Sequence, residues 1–285
     1  MIPKIIIQTG KDNNHNDAVL DAIQSWKDFN PTYEYKYFTD KDCDEFILQN
    51  FYKDVRLAFK LLKPGAMKAD LFRYCYLYIH GGVYTDLDNI CVKPIDQWMN
   101  CETEEFVTIL DVARLEKRDD PNDLIPKVRH DLIYQAFLAS KPDNPIFKRC
   151  IDHIVINTLN RMVPDDGLVP WWAPQYCGPT VKLTGPKLLA DVVNQYIGMP
   201  VTSSFDPGIL KTDKMHIRFA GKLHMTGMTS GGNQVWNQMQ TIRDLQGQSI
   251  IDVKYIGYEP GEDTYHLAKF PNEIYNYRLK KTDLK

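Results

Sequence analysis

The N-terminal part of the chain alternates between strand-like and helix-like segments, and this alternation constrains the fold more than any other feature. Short apolar or alternating runs predict strands, and apolar residues at helical spacing predict the helices between them. A strand–helix–strand–helix–strand order is typical of an α/β sheet with parallel pairings. The predicted strands are residues 5–8, 33–38 and 83–85, and the predicted helices are residues 19–26, 40–50 (capped by Asp40), 52–62 and 66–80.

The remainder of the chain gives a less regular pattern. Residues 106–110 are predicted as a strand, and residues 111–129, which are highly charged and contain two prolines, as a mobile loop. Helices are expected at residues 132–139, 145–159 and 187–197, and short strands with a Gly-rich loop at residues 217–236.

Composition excludes several classes of protein. The chain has 285 residues, of which 44% are hydrophobic, so it is neither mostly disordered nor fibrous. The 37 acidic and 34 basic residues give a net charge of −3, which argues against a nucleic-acid binder. No apolar run is long enough to span a membrane, the N-terminus lacks signal-peptide features, and the 6 cysteines are scattered without a C-x-x-C pair. We therefore expect a cytoplasmic protein.

The segment from Thr85 to Asn89 is the clearest candidate for chemistry. Asp86 and Asp88 are two residues apart, so in an extended segment their side chains point to the same side. Two such carboxylates can share one divalent cation, or divide between a metal and a sugar hydroxyl, because Mg²⁺ and Mn²⁺ prefer oxygen ligands. The alternative is a solvated turn with two incidental acids.

The preceding helix supports a functional role for this acid pair. Residues 71–79 are apolar or aromatic except for Arg73, and Asp70 lies three residues before it on the same helix face. A charge pair beside so much apolar surface requires partners, although a structural ion pair would also satisfy this need. Because the helix leads through Gly81-Gly82 into the acid pair, all these charges are expected near one strand end.

The block from Lys68 to Asp88 resembles glycosyltransferase family 32, the sugar-binding-region family with a D-x-D motif. The family pattern "sDllRy.iLy..GGvYlDlD" is met at nearly every position, with an Asp-x-x-Arg pair, a Gly-Gly and a D-x-D at fixed offsets. The resemblance covers residues 2–240 and is tightest at 64–96. Its other parts are the opening strand at residues 2–9, Trp26 to Pro31, Gly178-Pro179, Thr184-Gly185-Pro186, and residues 223–226 with Trp236.

This resemblance implies a single GT-A (Rossmann-like) α/β domain with a mostly parallel sheet over residues 1–240. Residues 241–285 would be an extension that packs on the domain or contacts the acceptor, a membrane or another subunit. The implied activity is transfer of a sugar, with retention of configuration, from a UDP-sugar or GDP-mannose to a glycan or glycolipid acceptor. Mn²⁺ or Mg²⁺ is the implied cofactor, and a bacterial surface-polysaccharide or viral enzyme is the implied source.

The resemblance also assigns candidate site residues. Asp88 would bind the metal, and Asp86 would contact the ribose, the sugar or the metal through water, while His224 would be a late metal or diphosphate ligand. Asp70 and Arg73 would bind donor-sugar hydroxyls, or Arg73 the phosphate. Further donor contacts are expected from Gln8, which we place near the nucleobase, and from Thr9, Tyr84 and Trp236.

A protein nucleophile is a separate question. Asp131, preceded by His130, opens a predicted helix and is a candidate, although a capping residue would look the same. We expect same-face transfer without a protein nucleophile. Trp171-Trp172 would be an acceptor platform or part of the core.

Two alternatives belong to other functional classes. A haloacid-dehalogenase-type phosphatase would use Asp86 as nucleophile and Asp88 as acid, but such enzymes favour D-x-D-x-[TV], and Asn89-Ile90 follows here. A sugar-nucleotide-binding or lectin-like module without transfer activity is the other alternative. It is suggested by the departures from the family pattern at Ile7, Gly10 and residues 227–235.

Overall fold

The computed structural model describes residues 1–111, 114–115, 128–162, 179–225 and 240–253, and of residues 114–115, 128–129, 179–180 and 224–225 it describes the backbone only. These residues form helices on both faces of a β-sheet, which confirms the α/β class.

The N-terminal alternation is confirmed. Asp40, however, is the first residue of its helix, and Thr39 is the cap. The Thr39 hydroxyl accepts a bond from the Asp42 amide, and the Asp42 carboxylate accepts one from the Thr39 amide, which forms a capping box. The elements are β1 (Ile5–Gly10), α1 (Asp17–Phe29), β2 (Glu34–Thr39), α2 (Asp40–Asn50), α3 (Lys53–Leu61), α4 (Gly65–His80) and β3 (Gly82–Thr85).

The later elements differ more from expectation. Within the segment predicted as a mobile loop, residues 114–115 and 128–129 pair as two short antiparallel strands. The elements are β4 (Asn89–Cys91), a 3₁₀ turn (Ile95–Gln97), β5 (Phe106–Leu110), β6 (Arg114–Leu115), β7 (Val128–Arg129), β8 (Ile133–Ser140), α5 (Pro145–Leu159), α6 (Pro179–Leu183), α7 (Pro186–Ile197), β9 (Gly208–Lys211), β10 (His216–Met225), β11 (Gln240–Asp244) and β12 (Ser249–Val253).

The prediction of a helix at residues 132–139 is wrong, because this segment is strand β8. β8 pairs with β3 on one side and β5 on the other, and nearly all of its residues are buried. A continuous apolar run fits a central strand as well as a buried helix, and pairing with two neighbours decides between them.

The sheet is mixed and not mostly parallel. In the described part of the chain its order is β2-β1-β3-β8-β5-β10-β11-β12-β4, with β9 paired to β10. The pairs β1–β2, β1–β3 and β5–β10 are parallel, whereas β8 enters antiparallel between β3 and β5. The end of β3 therefore lies at the same sheet edge as the start of β8 and the ends of β5 and β10.

Apolar side chains on the two faces of the sheet form two cores. Ile7 and Tyr84 face a core shared with α2, α3, α4, α5 and α7, while Ile6 and Val83 face a second core that contains Trp26 of α1. Because successive strand residues point to opposite faces, the central strands β3, β5 and β8 are buried on both sides. The strands read as apolar runs for this reason.

The Gly-Gly turn after α4 has a steric requirement for glycine. Gly81 and Gly82 have backbone φ values of 65° and 103°, which residues with a side chain rarely adopt. A Cβ on Gly81 would lie 2.6 Å from the Ser140 carbonyl oxygen, and one on Gly82 would lie 2.9 Å from that of Ile5. The turn thus packs β3 directly against β1 and β8.

The sheet continues beyond the domain boundary expected at residue 240. β11 begins at Gln240, and β11 and β12 pair between β10 and β4. Residues 240–253 therefore continue the same sheet, and residues 254–285 lie outside the described residues. Among the described helices, none combines the length and apolarity needed to cross a membrane.

Candidate active site

The D-x-D segment forms a tight turn at the carboxyl end of β3. The Asn89 amide donates to the Asp86 carbonyl at 3.2 Å, and the Asp86 amide donates to the Ala136 carbonyl at 3.0 Å. The segment is therefore a turn between β3 and β4, not the extended stretch assumed from the spacing. Its position matches the expected one, since ligands of α/β sheets bind at the carboxyl ends of strands.

Asn89 fixes this turn, although the sequence analysis gave it no role. Its side-chain nitrogen donates to Thr85 Oγ1 at 3.0 Å and to the Ala136 carbonyl at 2.7 Å, and its side-chain oxygen accepts from the Tyr134 hydroxyl at 2.8 Å. The Trp26 indole donates to its backbone carbonyl at 2.7 Å. Asn89 is fully buried, so each of these bonds replaces a hydrogen bond to water that is lost on folding. A polar residue directly after the acid pair was the available signal.

A bulge in β8 turns two carbonyls toward the site. Thr108 of β5 pairs with Leu138, but the next residue, Ile109, pairs with Tyr134, so the residues between them bulge out of the ladder. The freed Gln135 carbonyl accepts from Arg73 Nη1 at 2.7 Å. The Ala136 carbonyl anchors the D-x-D turn as described above.

Arg73 lies between two carboxylates. Its Nη2 is 3.1 Å from Asp70 Oδ1 and 3.2 Å from Asp86 Oδ1. Its Nε donates to the Ala69 carbonyl at 3.3 Å, and its guanidinium carbon lies 4.2 Å from the centre of the Tyr84 ring. All three nitrogens are engaged and only 3% of the side chain is exposed. In this arrangement Arg73 pairs with Asp86 Oδ1, and its expected contact with the donor sugar or phosphate stays a prediction.

Asp70 also faces the interior, with 1% of the residue exposed. Besides Arg73, its Oδ1 accepts from Gln135 Nε2 at 2.7 Å, and its Oδ2 accepts from the Thr184 hydroxyl at 2.7 Å. The predicted proximity of Asp70 and Arg73 is present, but Asp70 contacts protein groups where sugar hydroxyls were expected.

Asp86 is held on one oxygen and accessible overall. The Tyr84 hydroxyl donates to Asp86 Oδ1 at 2.5 Å, and Thr9 Oγ1 lies 3.3 Å from the same hydroxyl. Within the described part of the chain, Oδ2 accepts no hydrogen bond, and 34% of the side chain is exposed. The structure thus presents one orientated carboxylate oxygen to a ligand.

Asp88 completes the acid pair. It is half-buried, and among the described residues its carboxylate accepts no hydrogen bond from another side chain. The available donors are therefore carboxylate oxygens of Asp86 and Asp88, the ligand type that Mg²⁺ and Mn²⁺ prefer. Such ions are commonly held by one or two carboxylates together with substrate phosphates. The residues present fit this kind of ion.

The pKa shifts of the charged residues around the acid pair agree with a site for a divalent cation. Burial raises the pKa of Asp70 to about 6, against the opposing effect of Arg73. Burial lowers the pKa of Arg73, but the nearby Asp86, Tyr84 and Asp70 outweigh it and hold this pKa above its ordinary value. Burial and then repulsion by Asp86 raise the pKa of Asp88. Two carboxylates that disfavour each other's charge form a site that a cation stabilises.

Gln8 holds the D-x-D turn through a hydrogen bond to the turn's backbone. It is fully buried, its Nε2 donates to the Asp86 carbonyl at 3.0 Å, and its Oε1 accepts from the Tyr35 hydroxyl at 2.7 Å. Both ends of the side chain are thus bound inside the protein. The expected contact between Gln8 and the nucleobase stays a prediction.

The remaining candidates are further along the same edge or outside the description. Asp131 is half-buried and precedes strand β8, so it does not open a helix. His130 Nδ1 lies 3.0 Å from the Asp111 carbonyl. His224 lies in β10 opposite Thr241, and its side chain is outside the described part of the structure. Trp236 and Trp171-Trp172 lie outside the described residues.

Comparisons with known proteins point to one family. The profile of the family described as "Glycosyltransferase sugar-binding region containing DXD motif" matches residues 16–105. The initiation-specific alpha-1,6-mannosyltransferase of Candida albicans is 30% identical over 237 residues, which are 79% of this chain and 60% of that protein. The mannosyl phosphorylinositol ceramide synthase CSH1 of Saccharomyces cerevisiae is 36% identical over 198 residues, 69% of this chain and 43% of that protein.

Among solved structures, the PaToxG glycosyltransferase is similar with a TM-score of 0.42 and 17% identity, covering 69% of this chain and 70% of that one. The chain spans less than two thirds of the length of the curated relatives named here. Both of these relatives are fungal, and the expected bacterial or viral source stays a prediction.

Proposed function

The chain belongs to glycosyltransferase family 32, and on that premise we propose that it is a metal-dependent retaining mannosyltransferase that uses GDP-mannose. The observation that carries the proposal is the geometry of the D-x-D turn. Arg73 and Tyr84 contact Asp86 Oδ1, and the Asp88 carboxylate is available to bind a ligand. The names of the relatives support the choice of mannose. Family membership also argues against the phosphatase alternative.

Asp86 and Asp88 would hold the Mn²⁺ or Mg²⁺ ion. When bound, such an ion neutralises negative charge that develops on the leaving diphosphate. Arg73 and Tyr84 hold the same oxygen of Asp86, so the carboxylate would not reorganise during the reaction. Gln8 and Asn89 keep the turn itself in place.

For the transfer step we propose same-face substitution. The acceptor hydroxyl oxygen bonds to the mannose anomeric carbon on the face from which the diphosphate leaves. The bond between that carbon and the diphosphate oxygen breaks, and the hydroxyl proton passes to a diphosphate oxygen. The names of two relatives indicate an inositol phosphoceramide acceptor, and we propose an acceptor of the glycan or glycolipid class.

Donor hydrolysis tests the class without knowledge of the acceptor. Release of nucleoside diphosphate is followed from GDP-mannose, UDP-glucose, UDP-galactose and UDP-N-acetylglucosamine, with Mn²⁺, with Mg²⁺ and with EDTA. The expected result is metal-dependent release from GDP-mannose above the rest, abolished in Asp88→Ala and retained in Asp213→Ala, a change at an exposed turn. Metal-dependent binding without release would favour the sugar-nucleotide-binding module. Neither release nor binding with any nucleotide would contradict the proposal.

The stereochemical part has its own test. Proton NMR of the mannose first formed from GDP-α-mannose distinguishes the two anomers before they equilibrate. Retention predicts the α anomer first. The β anomer first would contradict the retaining mechanism while leaving the transferase activity intact.

A further inference from the structure

We propose that Thr184, in the turn between α6 and α7, is a positioning residue of the donor site, an inference that rests on the proposed function. Thr184 is 114 residues from Asp70 in sequence, and its hydroxyl donates to Asp70 Oδ2 at 2.7 Å. Both groups are buried, so no solvent competes for this bond. In the sequence, Thr184 begins the family-like Thr-Gly-Pro element.

Thr184 is the first member of a chain of hydrogen bonds that runs through Asp70 and Gln135 to Tyr74. The Tyr74 hydroxyl lies 3.2 Å from the Thr184 carbonyl and donates to Gln135 Oε1 at 2.7 Å. Gln135 Nε2 then donates to Asp70 Oδ1 at 2.7 Å. This chain of hydrogen bonds joins α4, the bulge of β8 and the α6–α7 turn, and it engages both oxygens of Asp70.

The position of Asp70 matters at the donor site because one nitrogen serves two carboxylates. Arg73 Nη2 lies 3.1 Å from Asp70 Oδ1 and 3.2 Å from Asp86 Oδ1. If Asp70 rotates, Arg73 Nη2 is no longer held at ion-pair distance from both carboxylates. Asp86 Oδ1 then loses the positioned guanidinium group that it contacts. The Thr184 hydroxyl thus acts on Asp86 through Asp70 and Arg73, without contact to substrate.

Conservative variants of Thr184 separate this positioning role from a contribution to folding. Thr184→Val removes the hydroxyl, Thr184→Ser keeps it, and Thr158→Val is the matched control. Thr158 is fully buried in α5, and among the described residues its hydroxyl has no hydrogen-bond partner. If Thr184→Val does not yield folded protein, Thr184→Ala takes its place.

The functional readouts are the kinetics of GDP-mannose hydrolysis with Mn²⁺ and the dissociation constant of GDP in the presence of Mn²⁺. We expect Thr184→Val to weaken GDP binding and lower kcat/KM by roughly tenfold or more, since a hydrogen bond to a buried carboxylate is lost. Thr184→Ser should recover most of both, and Thr158→Val should change neither. Wild-type values in a folded Thr184→Val variant would overturn the inference.

A structural readout keeps the inference testable apart from the proposed function. In a crystal structure of Thr184→Val we expect Arg73 Nη2 to lie more than about 4 Å, the limit of an ion pair, from Asp86 Oδ1. An unchanged Asp70–Arg73–Asp86 arrangement would overturn the inference. If the wild type neither hydrolyses GDP-mannose nor binds GDP, the proposed function fails, and this crystallographic comparison alone decides the role of Thr184.

Discussion

At the residue scale, a single oxygen, Asp86 Oδ1, receives the groups that orient the acid pair. It accepts from the Tyr84 hydroxyl and lies within ion-pair distance of Arg73, whose guanidinium packs over the Tyr84 ring. Arg73 and Tyr84 are both buried, so these contacts are made away from bulk water. Strong contacts on one oxygen fix the direction in which the other oxygen is offered.

The Tyr84 hydroxyl gives a prediction at this scale. Tyr84→Phe keeps the ring under Arg73 but removes the bond to Asp86, and a bond to a charged group contributes about 1.5–3 kcal/mol. We expect kcat/KM for GDP-mannose hydrolysis to fall roughly tenfold, together with a modest fall in melting temperature. Tyr52→Phe is the control, because Tyr52 is 91% exposed. Full activity in Tyr84→Phe would show that this hydroxyl does not orient Asp86.

The sequence predicted the charged residues of the site but not the polar residues that hold them. Asp70 and Arg73 lie on α4, and Asp86 and Asp88 lie in the turn after the next strand, so their proximity follows from local geometry. Thr184 reaches Asp70 across 114 residues. No local spacing predicts such a contact, because it depends on how separate elements pack.

At the element scale, β8 carries the largest difference from expectation and much of the site's support. Its apolar run was interpreted as a helix because its alternation is masked by burial on both faces. The pairing with β3 and β5 makes it a strand, and the bulge opposite Ile109 directs the Gln135 and Ala136 carbonyls to the site. A bulge of this kind is set by tertiary pairing, so one sequence gives no signal for it.

Helices α2 and α3 give a prediction with a pH dependence. Asp44 accepts from Arg56 Nε at 2.9 Å and from Arg56 Nη2 at 2.8 Å, a bidentate pair between the two helices. The hydrogen bond from Arg56 holds the pKa of Asp44 below its ordinary value of 3.8, although burial acts in the opposite direction. We expect Asp44→Asn to lower the free energy of unfolding by about 1 kcal/mol at neutral pH.

The sign of the pH effect follows from the lowered pKa of Asp44. The stabilisation is fully present above the unfolded-state pKa and is lost as the pH falls through the lower, folded-state pKa. The difference between wild type and Asp44→Asn should therefore be constant from about pH 5 to 8 and shrink below about pH 4. Urea denaturation at each pH measures it, with the exposed Asp152→Asn as control. A difference that grows in acid would contradict this account.

At the scale of the whole molecule, the mixed sheet brings distant segments to one edge. The carboxyl ends of β3, β5 and β10 and the start of β8 meet there, so residues from much of the chain surround the acid pair. Two cores, one on each face, hold the sheet between its helices. β11 and β12 extend the same sheet through Val253, beyond the boundary expected from the family resemblance.

We expect this edge of the sheet to bind a nucleoside diphosphate through a cation held by the acid pair. Calorimetric titration of GDP in the presence and absence of Mn²⁺ tests it most directly, in wild type, Asp88→Ala and the control Asp213→Ala. We predict Mn²⁺-dependent binding to wild type and to Asp213→Ala, weakened at least about tenfold in Asp88→Ala, since a metal-ligating oxygen is lost. GDP binding that is equal with and without Mn²⁺, or unchanged in Asp88→Ala, would contradict the account.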